Sequence, residues 1–166
     1  MERKYAEFAA TKACELLAID SPSGYTQKAA MWVKEAFEAL GFAAKITTKG
    51  GVLADLGGAD KDDALFLQAH TDTLGAMVAE VKANGRLKLT PLGGLRAENA
   101  ETENVRVHTR TGKVIEGTVQ LCNASVHVNG AYGETKRTFD TVEAVLDEDV
   151  KTAEATRALG IEVGDI

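Results

Sequence analysis

The residues of this chain best suited to act together chemically are His70 and Asp72, two positions apart where an apolar run ends. On an extended segment, side chains at i and i+2 point to the same side. An imidazole placed this way can bind a metal through one nitrogen while the carboxylate holds and polarises the other. The preceding run, Ala64-Leu65-Phe66-Leu67-Gln68-Ala69, reads as a strand over 64–70 covered on both faces. Ligands in α/β proteins gather at such strand ends. Taken alone, the tripeptide reads more readily as a surface His and Asp closing an ordinary loop.

The elements that must position this pair come from periodicity. Tyr5, Phe8, Ala9, Ala13, Leu16 and Leu17 share one helical face and predict a first helix over 3–18. Ser21-Pro22-Ser23-Gly24 breaks it, and Ser23 is expected to cap a second helix. That helix would turn Ala29, Trp32, Val33, Ala36, Phe37 and Leu40 inward and stop at Gly41. Trp32 and Phe37 keep the helical spacing and read as core rather than as ligand-stacking residues. Strands are expected at 43–48, 52–56 and 64–70, the first two joined at Lys49-Gly50-Gly51.

After Gly75 the character changes. Strand-like runs recur at 76–82, 86–90, 104–110, 114–121 and 124–128, separated by Gly-rich turns. A strand or turn over Thr141–Asp149 follows, then a short helix over Val150–Leu159 ended by Gly160. The fold class is therefore α/β: a partial layered α/β domain over 1–74, then a small β-rich, barrel-like or sandwich domain over 75–166.

Composition narrows the function classes. With 166 residues, 45% of them hydrophobic, the chain can bury a real core. A net charge of −6 and the lack of a basic patch argue against a nucleic-acid partner. No stretch approaches the length of a membrane span. Glu7 and Glu15 inside the first helical pattern argue against a signal peptide. Cys14 and Cys122 have no metal-type spacing and read as reduced thiols, so a cytoplasmic protein is expected.

The segment Ala69-His70-Thr71-Asp72-Thr73-Leu74-Gly75-Ala76-Met77-Val78 resembles the metal-ligand segment of the tetrahedral aminopeptidases. These co-catalytic-metal peptidases include glutamyl and deblocking aminopeptidases, and some members are described as cellulases. The resemblance continues through Ser21-Pro22-Ser23-Gly24-Tyr25, Asn84-Gly85-Arg86-Leu87 and 105–114. It extends through Leu146-Asp147-Glu148-Asp149-Val150 to Gly160-Ile161-Glu162-Val163-Gly164-Asp165. It implies His70 as a metal ligand and Asp72 as the catalytic-site residue that orients it. The family often has Glu after the Asp, where this chain has Thr73; that difference bears on substrate preference.

The resemblance also implies that 1–74 is the N-terminal part of a catalytic domain and 75–166 an inserted β-rich assembly domain. The family's chain returns to its catalytic sheet after a Gly-Asp like Gly164-Asp165, and this sequence stops one residue later, at Ile166. In the family the bridging Asp, catalytic Glu, further acidic ligands and second His come from downstream. The full enzyme would remove N-terminal residues from peptides with two divalent ions, zinc or cobalt, and would form a homo-oligomer. This chain alone is expected to be inactive and not to retain both ions. The rival reading is a non-catalytic assembly module. A third is another HxD-type metallopeptidase with a dimerisation insert.

The remaining candidates are weaker. His108 and His127 lie in alternating runs and read as solvent-facing or partly packed. Asp147-Glu148-Asp149 reads as a solvated loop, since three consecutive acids point in different directions. Gly57-Gly58 and Gly93-Gly94 lack the Lys-Ser/Thr of a phosphate-cradling loop. No Ser or Cys has the His partner a nucleophile needs.

Overall fold

The computed structural model describes residues 2–60 and 62–166. They form two compact units, the first running to Thr73 and the second spanning Leu74–Ile166.

The first unit contains helices α1 (Arg3–Leu17) and α2 (Gln27–Ala39), followed by strands β1 (Ala43–Ile46) and β2 (Val52–Asp55). The strands pair antiparallel, Ala43 opposite Asp55, around a turn in which Gly50 takes φ +84°. α2 packs on both strands and buries Ala29 and Ala30, while Trp32, Val33, Ala36 and Phe37 are half-buried. Leu40, expected inside, is exposed, and α1 buries no residue. Lys12 sits over the Trp32 ring, 5.5 Å from its centre, so α1 meets α2 partly through a cation–π contact.

Two sequence expectations fail here. Residues 64–70 form no strand, and Leu65, Phe66 and Leu67 are 85%, 70% and 74% exposed. A strand exists only where another backbone accepts and donates to it, and among the described residues none pairs with this run. Ser23 does not cap α2 either. The helix starts at Gln27 with Thr26 as the preceding residue, which makes no side-chain cap.

The second unit holds β3 (Gly75–Val81), β4 (Leu87–Leu92), α3 (Ala97–Ala100), β5 (Asn104–His108), β6 (Val114–Leu121), β7 (Val142–Leu146) and α4 (Ala153–Ala158). The sheet is antiparallel throughout, in the order β3-β4-β7-β6-β5. Two hairpins, β3–β4 and β5–β6, use the same three-residue turn chemistry. Gly85 at φ +84° and Gly112 at φ +83° occupy the left-handed position that follows a type I turn. The run at 124–128 is not a strand but part of an irregular loop between β6 and β7. Arg137 holds this loop with two contacts to the Glu101 carboxylate and donates to the carbonyls of Tyr132 and Thr135.

The last three residues close the sheet. Gly164 donates to the Val78 carbonyl and the Asp165 carbonyl accepts from the Val78 amide, so two residues oppose one. With Gly164 at φ +92°, this is the G1 bulge pattern. On the other side, His108 and Ile166 exchange both backbone hydrogen bonds. Gly164–Ile166 therefore fills the gap between the outer edges of β3 and β5, and the five-stranded sheet becomes a barrel. Closure removes edges that would otherwise template association. Inside lie Val78, Leu87, Val107, Val119, Leu121, Val142, Ala144 and Ile161.

Gly117 shows how tightly β6 and β7 approach. A Cβ built there would lie 2.5 Å from the Val145 carbonyl oxygen and 3.2 Å from the Leu146 Cα, both backbone atoms. Gly117→Ala is expected to cost about 1–3 kcal/mol through overpacking. Gly94→Ala, where nothing lies within 4 Å, should stay within about 0.5 kcal/mol of wild type. Urea unfolding of both variants checks the pair.

Candidate functional site

The HxD segment is held by the Ser21-Pro22-Ser23 segment. Pro22 forms an isolated parallel bridge with Thr73, and the Thr73 amide donates to the Ser21 carbonyl at 2.9 Å. The Ser21 side chain is buried and donates to the Thr71 carbonyl at 3.2 Å. Pro22-Ser23-Gly24-Tyr25 is a tight turn: the Tyr25 amide donates to the Pro22 carbonyl at 2.8 Å, and Gly24 takes φ +89°. Gly in that conformation at the third position is the type II requirement, and it leaves Ser23 at the second position.

Ser23 points at the site. Its hydroxyl donates to Asp72 Oδ2 at 2.5 Å, while Asp72 Oδ1 lies 3.1 Å from His70 Nδ1. The Asp72 backbone carbonyl is also 3.1 Å from Nδ1. The Ser23 hydrogen bond is the main influence holding the Asp72 carboxyl below the usual carboxylate range. Slight desolvation opposes it, and His70 adds to it. The imidazole is 83% exposed and the Asp72 side chain 41%. With Nδ1 engaged, Nε2 is the nitrogen presented to a ligand.

His108 is half-buried on β5, and His127 is exposed in the loop after β6. Asp147, Glu148 and Asp149 are exposed, and Asp149 pairs with Lys151 at 3.0 Å. Both cysteines are free and exposed. Among the described residues there is no group of three or more His, Cys, Asp or Glu side chains placed to hold a metal. The HxD pair thus fits one ligand and its orienting carboxylate but not a whole metal site.

Two polar clusters escaped the sequence reading. Glu143, on β7, has a 1% exposed side chain and accepts from Lys82 Nζ at 2.5 Å and Arg86 Nη1 at 2.6 Å. Burial pushes the Glu143 carboxyl up, but hydrogen bonds and charges from Lys82 and Arg86 outweigh it and leave it below the usual range. Asp165 is buried and accepts from the amides of Glu162 at 2.8 Å and Arg110 at 3.2 Å. Alternation on β7 sets Glu143 on the face opposite Val142 and Ala144, and that was the one signal available. Its partners lie about sixty positions away.

Comparison with known proteins is consistent with this geometry. Residues 50–166 match the family described as M42 glutamyl aminopeptidase. Over 151 residues the chain is 39% identical to YhfE of Bacillus subtilis strain 168, a protein named as an aminopeptidase. The match covers 91% of this chain and 44% of that protein. The aminopeptidase APDkam598 of Desulfurococcus kamchatkensis superposes with a TM-score of 0.77 at 22% identity, over 91% of this chain and 40% of that one. The TET1 peptidase of Pyrococcus horikoshii, which can assemble into a tetrahedron or a large octahedral shell, gives 0.75 at 18%, over 94% and 44%. This chain therefore spans less than half the length of the relatives it matches.

Proposed function

We propose that this chain, which belongs to the M42 glutamyl aminopeptidase family, takes part in hydrolysing N-terminal residues from peptides by metal-activated water. The observation that carries the proposal is the His70 ring, its Nδ1 on Asp72 and its Nε2 turned outward, inside the region matched to the family. Two divalent ions, zinc or cobalt, would supply a Lewis acid and an activated water in the whole enzyme. His70 Nε2 would be one ligand, and Asp72 would orient it. The HxD pair offers one imidazole where a catalytic zinc takes three protein ligands. Residues 1–166 by themselves are accordingly expected to show no turnover of aminoacyl-anilides with added zinc or cobalt.

The test is to graft residues of this chain into YhfE in place of its matching segment. A metal-dependent aminopeptidase is expected, and His70→Ala should lower kcat/KM by at least about 100-fold, as loss of a metal ligand implies. A folded graft indifferent to His70→Ala would overturn the proposal.

Self-association is part of the same reading. Leu65, Phe66 and Leu67 form an exposed apolar run of a kind that soluble monomers rarely tolerate. A homo-oligomer is expected, in keeping with the shells formed by the TET1 peptidase. Light scattering at micromolar concentration should give a dimer or larger. A strict monomer that binds no hydrophobic dye would reject this. Among the described residues no helix is long and apolar enough to cross a membrane. The free thiols of Cys14 and Cys122 favour a cytoplasmic setting.

A further inference from the structure

We propose that Ser23 is a positioning residue for His70, acting through Asp72 to fix which ring nitrogen carries the proton. The proposal rests on reading His70 as the ligand-bearing residue. His70 Nδ1 faces two oxygens, Asp72 Oδ1 and the Asp72 carbonyl, each at 3.1 Å. A carbonyl and an ionised carboxylate only accept, so Nδ1 must donate, and in the neutral ring the lone pair falls to Nε2.

The carboxylate's share of that arrangement holds only while Oδ1 stays turned toward the ring. A carboxylate half exposed to water swings readily about its last torsion, because that torsion is broad. Ser23 removes the freedom by donating to the other oxygen, Oδ2, at 2.5 Å. Ser23 is itself fixed by the Pro22–Tyr25 turn and by the Pro22–Thr73 bridge, which ties it to the segment carrying Asp72. The turn, the hydroxyl, the carboxylate and the imidazole form one chain of constraint. Its product is a ring with a defined tautomer, presented at an otherwise exposed position.

The tautomer can be read without metal or substrate. Long-range proton–nitrogen NMR of the ring nitrogens distinguishes the two forms, and His70→Ala assigns the signals among three histidines. Under conditions where the imidazole is neutral, wild type is expected to hold His70 chiefly as the Nδ1–H form. Ser23→Ala should lower the ratio of Nδ1–H to Nε2–H by roughly threefold to tenfold, the worth of one weakened hydrogen bond, with the Asp72 carbonyl remaining as an acceptor. Ser23→Thr, which keeps the hydroxyl, should restore it. An unchanged ratio in Ser23→Ala would overturn the proposal, as would a Ser23→Thr variant that behaves like Ser23→Ala while its Thr71 and Thr73 amide shifts match wild type. A graft into YhfE that fails to become a peptidase while this tautomer pattern holds would reject the catalytic reading and leave the positioning role intact.

Discussion

Replacing Lys82 and Arg86 together with alanine is expected to destabilise the barrel by about 3–5 kcal/mol, the usual cost of leaving a buried charge without its partners. The Glu143 side chain is 1% exposed, whereas Lys82 and Arg86 are 32% and 36% exposed. The effect is therefore asymmetric. Removing the cations strands a buried carboxylate, but removing Glu143 leaves two cations that can turn to water. Glu143→Leu should cost far less than the double variant and could approach neutrality. Location amplifies the loss. β4 and β7 are joined by a single backbone pair, Leu87 with Ala144, and the Lys82–Arg86 turn grips β7 next to it.

The pH dependence should reverse between the two proteins. In wild type the folded-state value of Glu143 is lowered, so its contribution is complete above the ordinary glutamate range. That contribution fades as pH falls through the lowered value. In the double variant burial acts alone and raises the value, so the penalty is largest at neutral pH and shrinks on acidification. Urea midpoints at neutral and mildly acidic pH should converge. If they stay parallel, Glu143 is not the group responsible.

Asp165→Ala is expected to open the barrel seam at a cost of about 1–3 kcal/mol, because the amides of Arg110 and Glu162 lose their acceptor. The readout is local. Hydrogen exchange at the Val78 and His108 amides, which donate to Asp165 and Ile166, should accelerate before the rest of the sheet. Asp165→Asn keeps one acceptor oxygen and should fall between. Uniform exchange across β3 to β7 would mean that the seam is not an independent weak point.

Much of the architecture was legible because it is local. Gly85 and Gly112 mark their hairpins, Gly41 and Gly160 end helices, and alternation along 114–121 places Ile115, Val119 and Leu121 inside. What failed depends on partners distant in sequence. Ser23 looks like a helix cap because Ser before an amphipathic run usually is one, and nothing nearby announces Asp72, forty-nine positions on. The apolar pattern of 64–69 states a preference for burial without supplying the neighbouring strand that would satisfy it. Gly164–Ile166 has too few residues to show any period, so its role as a rung was invisible. The site was half legible: His70 and Asp72 announce themselves by type and spacing, while the hydroxyl that steadies them does not.

The way the last three residues seat themselves has a topological consequence. Val78 near the start of the second unit and Gly164 near its finish are hydrogen-bonded neighbours, so the chain enters and leaves this unit on adjoining strands, about one interstrand spacing, ~5 Å, apart where they pair. A unit with adjoining ends can hang from a host chain as a side cassette without displacing the strands on either side of the insertion point. It can also be rewired: joining its ends with a short linker and opening the exposed Gly93-Gly94 turn would give a circular permutant with every barrel contact retained.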